Sequence, residues 1–145
     1  EGVSVEEGKI NAQAYEEVAR KIVDRFSNIR SVAITLRESL SAHHNNWGAM
    51  LYTAGDETAH FAPTDASGEY RPYQIKDIVD RVGGGDAFAA GIIYGHAQGM
   101  SSRDTLDFAV ASSALAHTFH GDFNLVSASE VMSVAGGDTS GRVQR

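Results

Sequence analysis

Between Asn11 and Phe26 the apolar residues Tyr15, Val18, Ala19, Ile22, Val23 and Phe26 recur at spacings of three and four, while Glu16, Glu17, Arg20, Lys21 and Asp24 fill the other side. That pattern predicts an amphipathic helix with Asn11 as its cap. It gives way to Ser31-Val32-Ala33-Ile34-Thr35-Leu36, a nearly continuous apolar run of the kind found in strands covered on both faces. A helix followed by such a strand predicts a parallel α/β sheet. From Trp47 to Thr53 and from Thr58 to Ala62 apolar and polar positions alternate, and Ala54-Gly55-Asp56-Glu57 between them predicts a hairpin turn. Turn formers from Pro63 to Pro72 predict a loop, and Gln74 to Val79 a further strand. A helix is predicted from Ala87 to Gln98, then a linker and cap at Met100-Ser101-Ser102, an alanine-rich helix from Asp104 to Phe119, a stop at Gly121-Asp122-Phe123-Asn124, and a short helix from Ser129 to Ala135. A glycine-rich tail begins at Gly136. No internal repeat or dividing linker is visible.

Composition narrows this picture without redrawing it. A chain of 145 residues is the size of one ordinary domain, and a domain of that size buries about 70% of the surface of its unfolded chain. With 42% hydrophobic and 21% charged residues, it is neither disordered nor fibrous in composition. A net charge of −7 works against binding nucleic acid, so any phosphate site has to be local and built largely from backbone. The absence of cysteine removes disulfides, thiol catalysis and thiolate zinc sites. Glu1 to Gln13 lacks the basic start and apolar centre of a signal peptide, and no segment approaches the ~20 apolar residues of a membrane span, so a soluble, cytoplasmic protein is expected.

Candidate chemistry concentrates at Asp80-Arg81-Val82-Gly83-Gly84-Gly85-Asp86-Ala87-Phe88-Ala89-Ala90-Gly91, where three consecutive glycines and a carboxylate stand between the predicted strand and the predicted helix. Glycines let backbone N–H groups approach a ligand directly, and those at a helix N-terminus favour phosphate oxygens. A carboxylate repels phosphate, so Asp86 suits a base that takes a proton from an attacking hydroxyl. The plainer alternative is a turn followed by an Asp cap. Other motifs fall away. Gly2 with Gly8-Lys9 lacks the spacing, the hydroxyl residue and the preceding strand of a P-loop, and Phe88 replaces the last glycine of a dinucleotide fingerprint. Gly91, Gly95 and Gly99 suggest close helix packing. His117, His120 and Asp122 have a metal-like spacing, but histidine at a helix end is common for dipole reasons, and His43-His44 suits a solvated loop.

Taken together, Asp80 to Ile93 resembles the second signature of the PfkB sugar kinases, commonly written D-T-T-G-A-G-D-A-F. The agreement covers Asp80, Gly83, Gly85, Asp86, Ala87, Phe88 and Gly91, while Arg81, Val82 and Gly84 depart from it. Asp-Arg-Val-Gly resembles the 2-keto-3-deoxygluconate kinase branch of that family. So do Thr35-Leu36-Arg37-Glu38-Ser39, Ala116-His117-Thr118 with Gly121-Asp122-Phe123-Asn124, and the ending Ser140-Gly141-Arg142-Val143-Gln144-Arg145. The resemblance implies an α/β, ribokinase-like (Rossmann-like) layered sheet with helices. Residues 1–145 would be its C-terminal nucleotide-binding portion, since nothing matches the N-terminal signature, the lid or the residues that grip the sugar.

The implied activity is ATP-dependent phosphorylation of a sugar or sugar-acid hydroxyl, with ATP and Mg2+ and, in some members, a monovalent cation. Asp86 would be the general base and Gly83, Gly84 and Gly85 the anion hole. Thr35, Arg37, Glu38 and Gly121 would contact the nucleotide, Ala109 to Ala116 would wall the adenine, and Asp80 would lie near the monovalent-cation site. No other metal is expected. The expected partners are a sugar acid and ATP, without nucleic acid or membrane, and a second copy covering an unpaired sheet edge. The isolated chain is expected to lack kinase activity. Alternatives are another PfkB kinase of fructokinase or ribokinase type, a non-catalytic nucleotide-binding module, and an α/β interaction domain.

Overall fold

The computed structural model describes residues 12–41 and 43–137. Helix α1 (Ala12–Arg25) forms where the three-and-four spacing predicts it, and its expected cap Asn11 lies outside the described residues, as do the glycines and lysine of the P-loop-like segment. Strands β1 (Ser31–Ser41), β2 (His44–Thr53), β3 (Thr58–Ala62) and β4 (Tyr73–Ile75) make one sheet in which every pairing is antiparallel. The predicted parallel sheet is therefore corrected. Only two residues separate β1 from β2, and a connection that short can only reverse the chain.

The apolar run of β1 misleads for a related reason. Leu36 is buried and Val32 and Ile34 are partly buried against α1, but Ala33 and Thr35, which lengthen the run, are exposed on the other side. It is a one-sided strand whose outward residues happen to be small.

The hairpin predicted between β2 and β3 is present, with Thr53 opposite Thr58 and Ala49 opposite Ala62. β4 then pairs with the other half of the same edge of β2, Trp47 facing Tyr73 and Asn45 facing Ile75. β3 and β4 thus act as one strand interrupted by residues 63–72. The excursion is organised by Asp65, whose carboxylate accepts from the Ser67 and Glu69 amides and from Arg71 Nε at 3.2 Å. The Ser67 hydroxyl, with these further donors, holds that carboxyl at about 2. The excursion lays Tyr70 over Gly48, where a side chain would collide with it. After Ile75 the predicted strand does not continue. The Ile78 and Val79 amides bond to the carbonyls of His43 (3.4 Å) and His117 (2.9 Å), in loops rather than in a ladder.

The other face of the sheet is covered by α2 (Gly84–Ala97) and α3 (Ser102–Ala116), with α4 (Ala128–Ala135) packed on α3. Trp47, Ala49, Leu51, Phe88, Leu106, Ala109 and Val110 form the core of this layer. Gly91 and Gly95 let the two helices touch: a β carbon at Gly91 would stand 2.6 Å from Ala109 Cα, and one at Gly95 2.7 Å from the Thr105 side chain. Arg103 pins the start of α3 to the sheet by donating to the Phe61 carbonyl (3.1 Å) and to Thr64, while pairing with Asp107 (3.0 Å). The result is a helix–sheet–helix sandwich. No helix among the described residues is long and apolar enough to cross a membrane.

Candidate functional site

The glycine junction follows the loop after β4 and opens α2 against the end of α3. Gly83 is the N-cap of α2 with φ 79°, a left-handed conformation that glycine adopts without steric cost. It needs glycine twice over, because a β carbon would also lie 2.8 Å from the Asp122 carbonyl oxygen. No side chain caps this helix end. The first-turn amides of an α-helix have no partner within the helix, so those of Gly84, Gly85 and Asp86 face outward as donors. Above Gly85 there is open space, with no atom within 4 Å of where its β carbon would be. Asp86 sits in this first turn with its side chain exposed.

Below the junction the packing is tight. The Ser113 hydroxyl donates to the Gly84 carbonyl at 2.6 Å, and the His117 ring would lie 2.8 Å from a β carbon at Gly84. His117 is only 3% exposed; its Nδ1 is 2.7 Å from the Ser113 carbonyl, and its ring meets Trp47 at 4.8 Å between centroids. A carbonyl partner requires Nδ1 to carry the proton. Burial, with the positive charges of Arg37 and Arg81, pushes this histidine below its ordinary pKa and keeps it neutral. From sequence His117 reads as a helix-end histidine, with a metal-like spacing to His120 and Asp122; that it forms the floor of the loop with Ser113 and Trp47 shows only in the structure. The four-residue separation of Ser113 and His117 within a helix was the available signal. Among the described residues no group of three His, Asp or Glu side chains is arranged to hold a metal.

Asp80, at the start of the junction, accepts from the amides of Arg81 (2.7 Å), Val82 (3.1 Å) and Gly121 (2.9 Å). These donors, the Gly121 amide foremost, lower its pKa. Gly121, predicted as a nucleotide contact, is thereby brought against the glycine loop, with φ 88°.

Three further candidates lie on β1, and the sheet separates them. Thr35 and Arg37 pair with Ala49 and Trp47 and share the face that carries α2 and α3. Glu38 is on the opposite face with Leu36, bonded by Asn46 Nδ2 at 2.7 Å, and burial foremost, with the Glu38 charge beside it, raises the pKa of Tyr70 there. Alternate side chains on a strand point to opposite faces, so Arg37 and Glu38 are presented to opposite faces of β1. The expected adenine wall is also largely used elsewhere: Ala109 and Ala111 are fully buried, and Ala109 is the contact that Gly91 makes room for.

The arrangement has measurable relatives. Over 90% of its length the chain superposes on a 2-dehydro-3-deoxygluconokinase from Thermotoga maritima with TM-score 0.78 and 40% identity. A PfkB family carbohydrate kinase from Listeria grayi superposes over 90% with TM-score 0.73 and 27% identity. In each case the chain spans 36% of the other protein. A 45-residue stretch is 49% identical to 1-phosphofructokinase of Haemophilus influenzae, covering 14% of that enzyme. The pfkB family carbohydrate kinase pattern itself matches residues 19–140, a span that includes the sheet, the glycine junction and the helices behind it, and on this ground the chain belongs to the PfkB family.

Proposed function

We propose that the protein to which this chain belongs transfers the γ-phosphoryl group of ATP to a hydroxyl of a sugar acid, 2-keto-3-deoxygluconate, and that this chain supplies the base and the anion hole. The observation that carries the reading is the pairing of Asp86 with a helix N-terminus that has no side-chain cap and has open space above Gly85. An uncapped set of first-turn amides, with Gly85 and Asp86 exposed, fits a phosphate chain. A carboxylate in the same turn gains nothing from phosphate and suits proton removal from the acceptor hydroxyl. As that oxygen attacks, charge grows on the transferred group, and the fixed amides of Gly84 and Gly85 stabilise it without reorganising. Mg2+ would accompany the phosphates and neutralise their charge; such sites draw much of their coordination from phosphate and water.

Thr35 and Arg37 line the same face and are assigned to the nucleotide side. Glu38 is left out of the site, for the geometric reason above. The choice of acceptor rests on the 40% identity to the Thermotoga maritima enzyme. The runner-up acceptors are those of fructokinase- or ribokinase-type relatives, and a panel of 2-keto-3-deoxygluconate, fructose and ribose ranks them by kcat/KM. The outer edge of β1 pairs with no strand among the described residues, so a second copy covering it is part of the proposal, checked by the mass of the full-length protein in solution.

In the full-length protein, Asp86→Asn is expected to lower kcat by roughly 10²- to 10⁴-fold, the worth of a positioned base, while calorimetry shows ATP binding nearly intact. Unchanged turnover would remove Asp86 from the chemistry. The isolated chain is expected to show no significant phosphorylation of any sugar, because orienting the acceptor is a large part of the catalysis.

A further inference from the structure

We propose that Asp80 is the positioning residue of the glycine loop: its carboxylate locks that loop to the Gly121 turn and so fixes the amide array beside Asp86. The proposal's kinetic part rests on the phosphoryl-transfer reading; its structural part does not.

One carboxylate oxygen, Oδ1, accepts from the two amides that follow it, Arg81 and Val82, shaping the approach to Gly83. The other, Oδ2, accepts from Gly121, 41 residues away, at 2.9 Å. The same two segments touch twice more, where the Gly83 backbone lies against Asp122 and where the Val79 amide donates to the His117 carbonyl at 2.9 Å. Two loops that each contain a left-handed glycine are thus joined along one seam, with Asp80 its one charged member making bonds to both.

The need for such a clamp follows from composition. Three consecutive glycines have more backbone freedom to lose than any other triplet, and no side-chain cap holds this end of α2. An anion hole works only if its donors are already in place when charge develops.

The test uses the full-length protein. Asp80→Asn keeps one acceptor oxygen for Arg81 and Val82 but turns an NH2 group toward the Gly121 amide, so it opens the seam and spares the local turn. It is expected to lower kcat by roughly 10- to 100-fold, the scale of a small misplacement of a catalytic array, with KM for ATP little changed. Asp65→Asn, which removes a comparably bonded carboxylate away from the site, should leave both constants unaltered. In the unsubstituted protein the Gly121 amide proton should titrate with Asp80 at a pH below the ordinary carboxylate range, a readout that needs neither a variant nor activity. Equal kcat for Asp80→Asn and the parent, or a Gly121 amide blind to acid, would overturn the clamp. If the parent shows no phosphoryl transfer at all, the functional reading fails and the Gly121 titration alone decides the seam.

Discussion

The three helices behind the sheet begin in two different ways. α3 starts at Ser101, whose side chain accepts from the Asp104 amide at 3.1 Å, and α4 starts at Ser127 with a full capping box closed by Glu130. α2 starts at Gly83, in a left-handed conformation and with no side-chain cap. A serine cap is worth about 1 kcal/mol against alanine but only a few tenths against glycine, so leaving the start of α2 without one costs little stability. Its donors are instead left for something outside the helix. Where a helix only holds the fold together, the chain satisfies its end amides with its own side chains. Where the end faces open space beside Asp86, it leaves them available.

The strongest way to break this contrast is to fill the space over Gly85. Gly85→Val should lower kcat by on the order of 10²-fold, the scale for losing correct approach at an active site, with a melting temperature close to that of the parent. An unimpaired Gly85→Val enzyme would mean that the open end of α2 receives nothing. Closing the end by giving it a cap is the next largest perturbation. Gly83→Ser forces a side chain into a left-handed residue and toward the Asp122 carbonyl, and should cost about 1–3 kcal/mol in urea unfolding along with weakened ATP binding. If Gly83→Ser were as stable as the parent, the glycine would be there for some reason other than its conformation.

Removing a cap that already exists sharpens the contrast from the other side. Ser127→Ala should cost about 1 kcal/mol of stability while kcat and KM stay at the parent values. An accompanying drop in kcat would show that α4 is not merely structural. The smallest expected effect lies in the pH dependence of stability. His117 has a lowered pKa in the fold, so the unfolded chain binds its proton more readily. Its contribution is present above the ordinary histidine pKa and is lost as pH falls through the depressed folded value. Replacing His117 by Gln should therefore flatten that acid-side decline in urea midpoints, whatever it does to absolute stability. An unchanged slope would assign the decline to other groups.

Much of the fold was legible because local patterns agreed with it. The spacing of Tyr15, Ala19 and Val23 set α1, the turn at residues 54–57 set the hairpin, and Met100-Ser101-Ser102 announced α3, while the Ser127 cap of α4 was missed. Strand direction was not legible. Ala33 and Thr35 read as members of a buried run although they are exposed, since a small residue costs little on either side of a strand. The end of β4 was hidden too, because the Ile78 and Val79 donors go to loop carbonyls that no local pattern reveals.

For the site, the sequence by itself singled out the candidate: three glycines followed by Asp86 carry the groups of an anion loop with a base, because the backbone and one carboxylate supply all the groups required. Only the tertiary structure decided which residues stand behind that loop. Ser113 and His117 under Gly84, Asp80 tied to Gly121, and the separation of Arg37 from Glu38 all depend on contacts between distant segments or on which face of a strand is covered. Neither quantity is written in any one stretch of chain, because burial and long-range hydrogen bonding exist only once the sheet and helices have closed on each other.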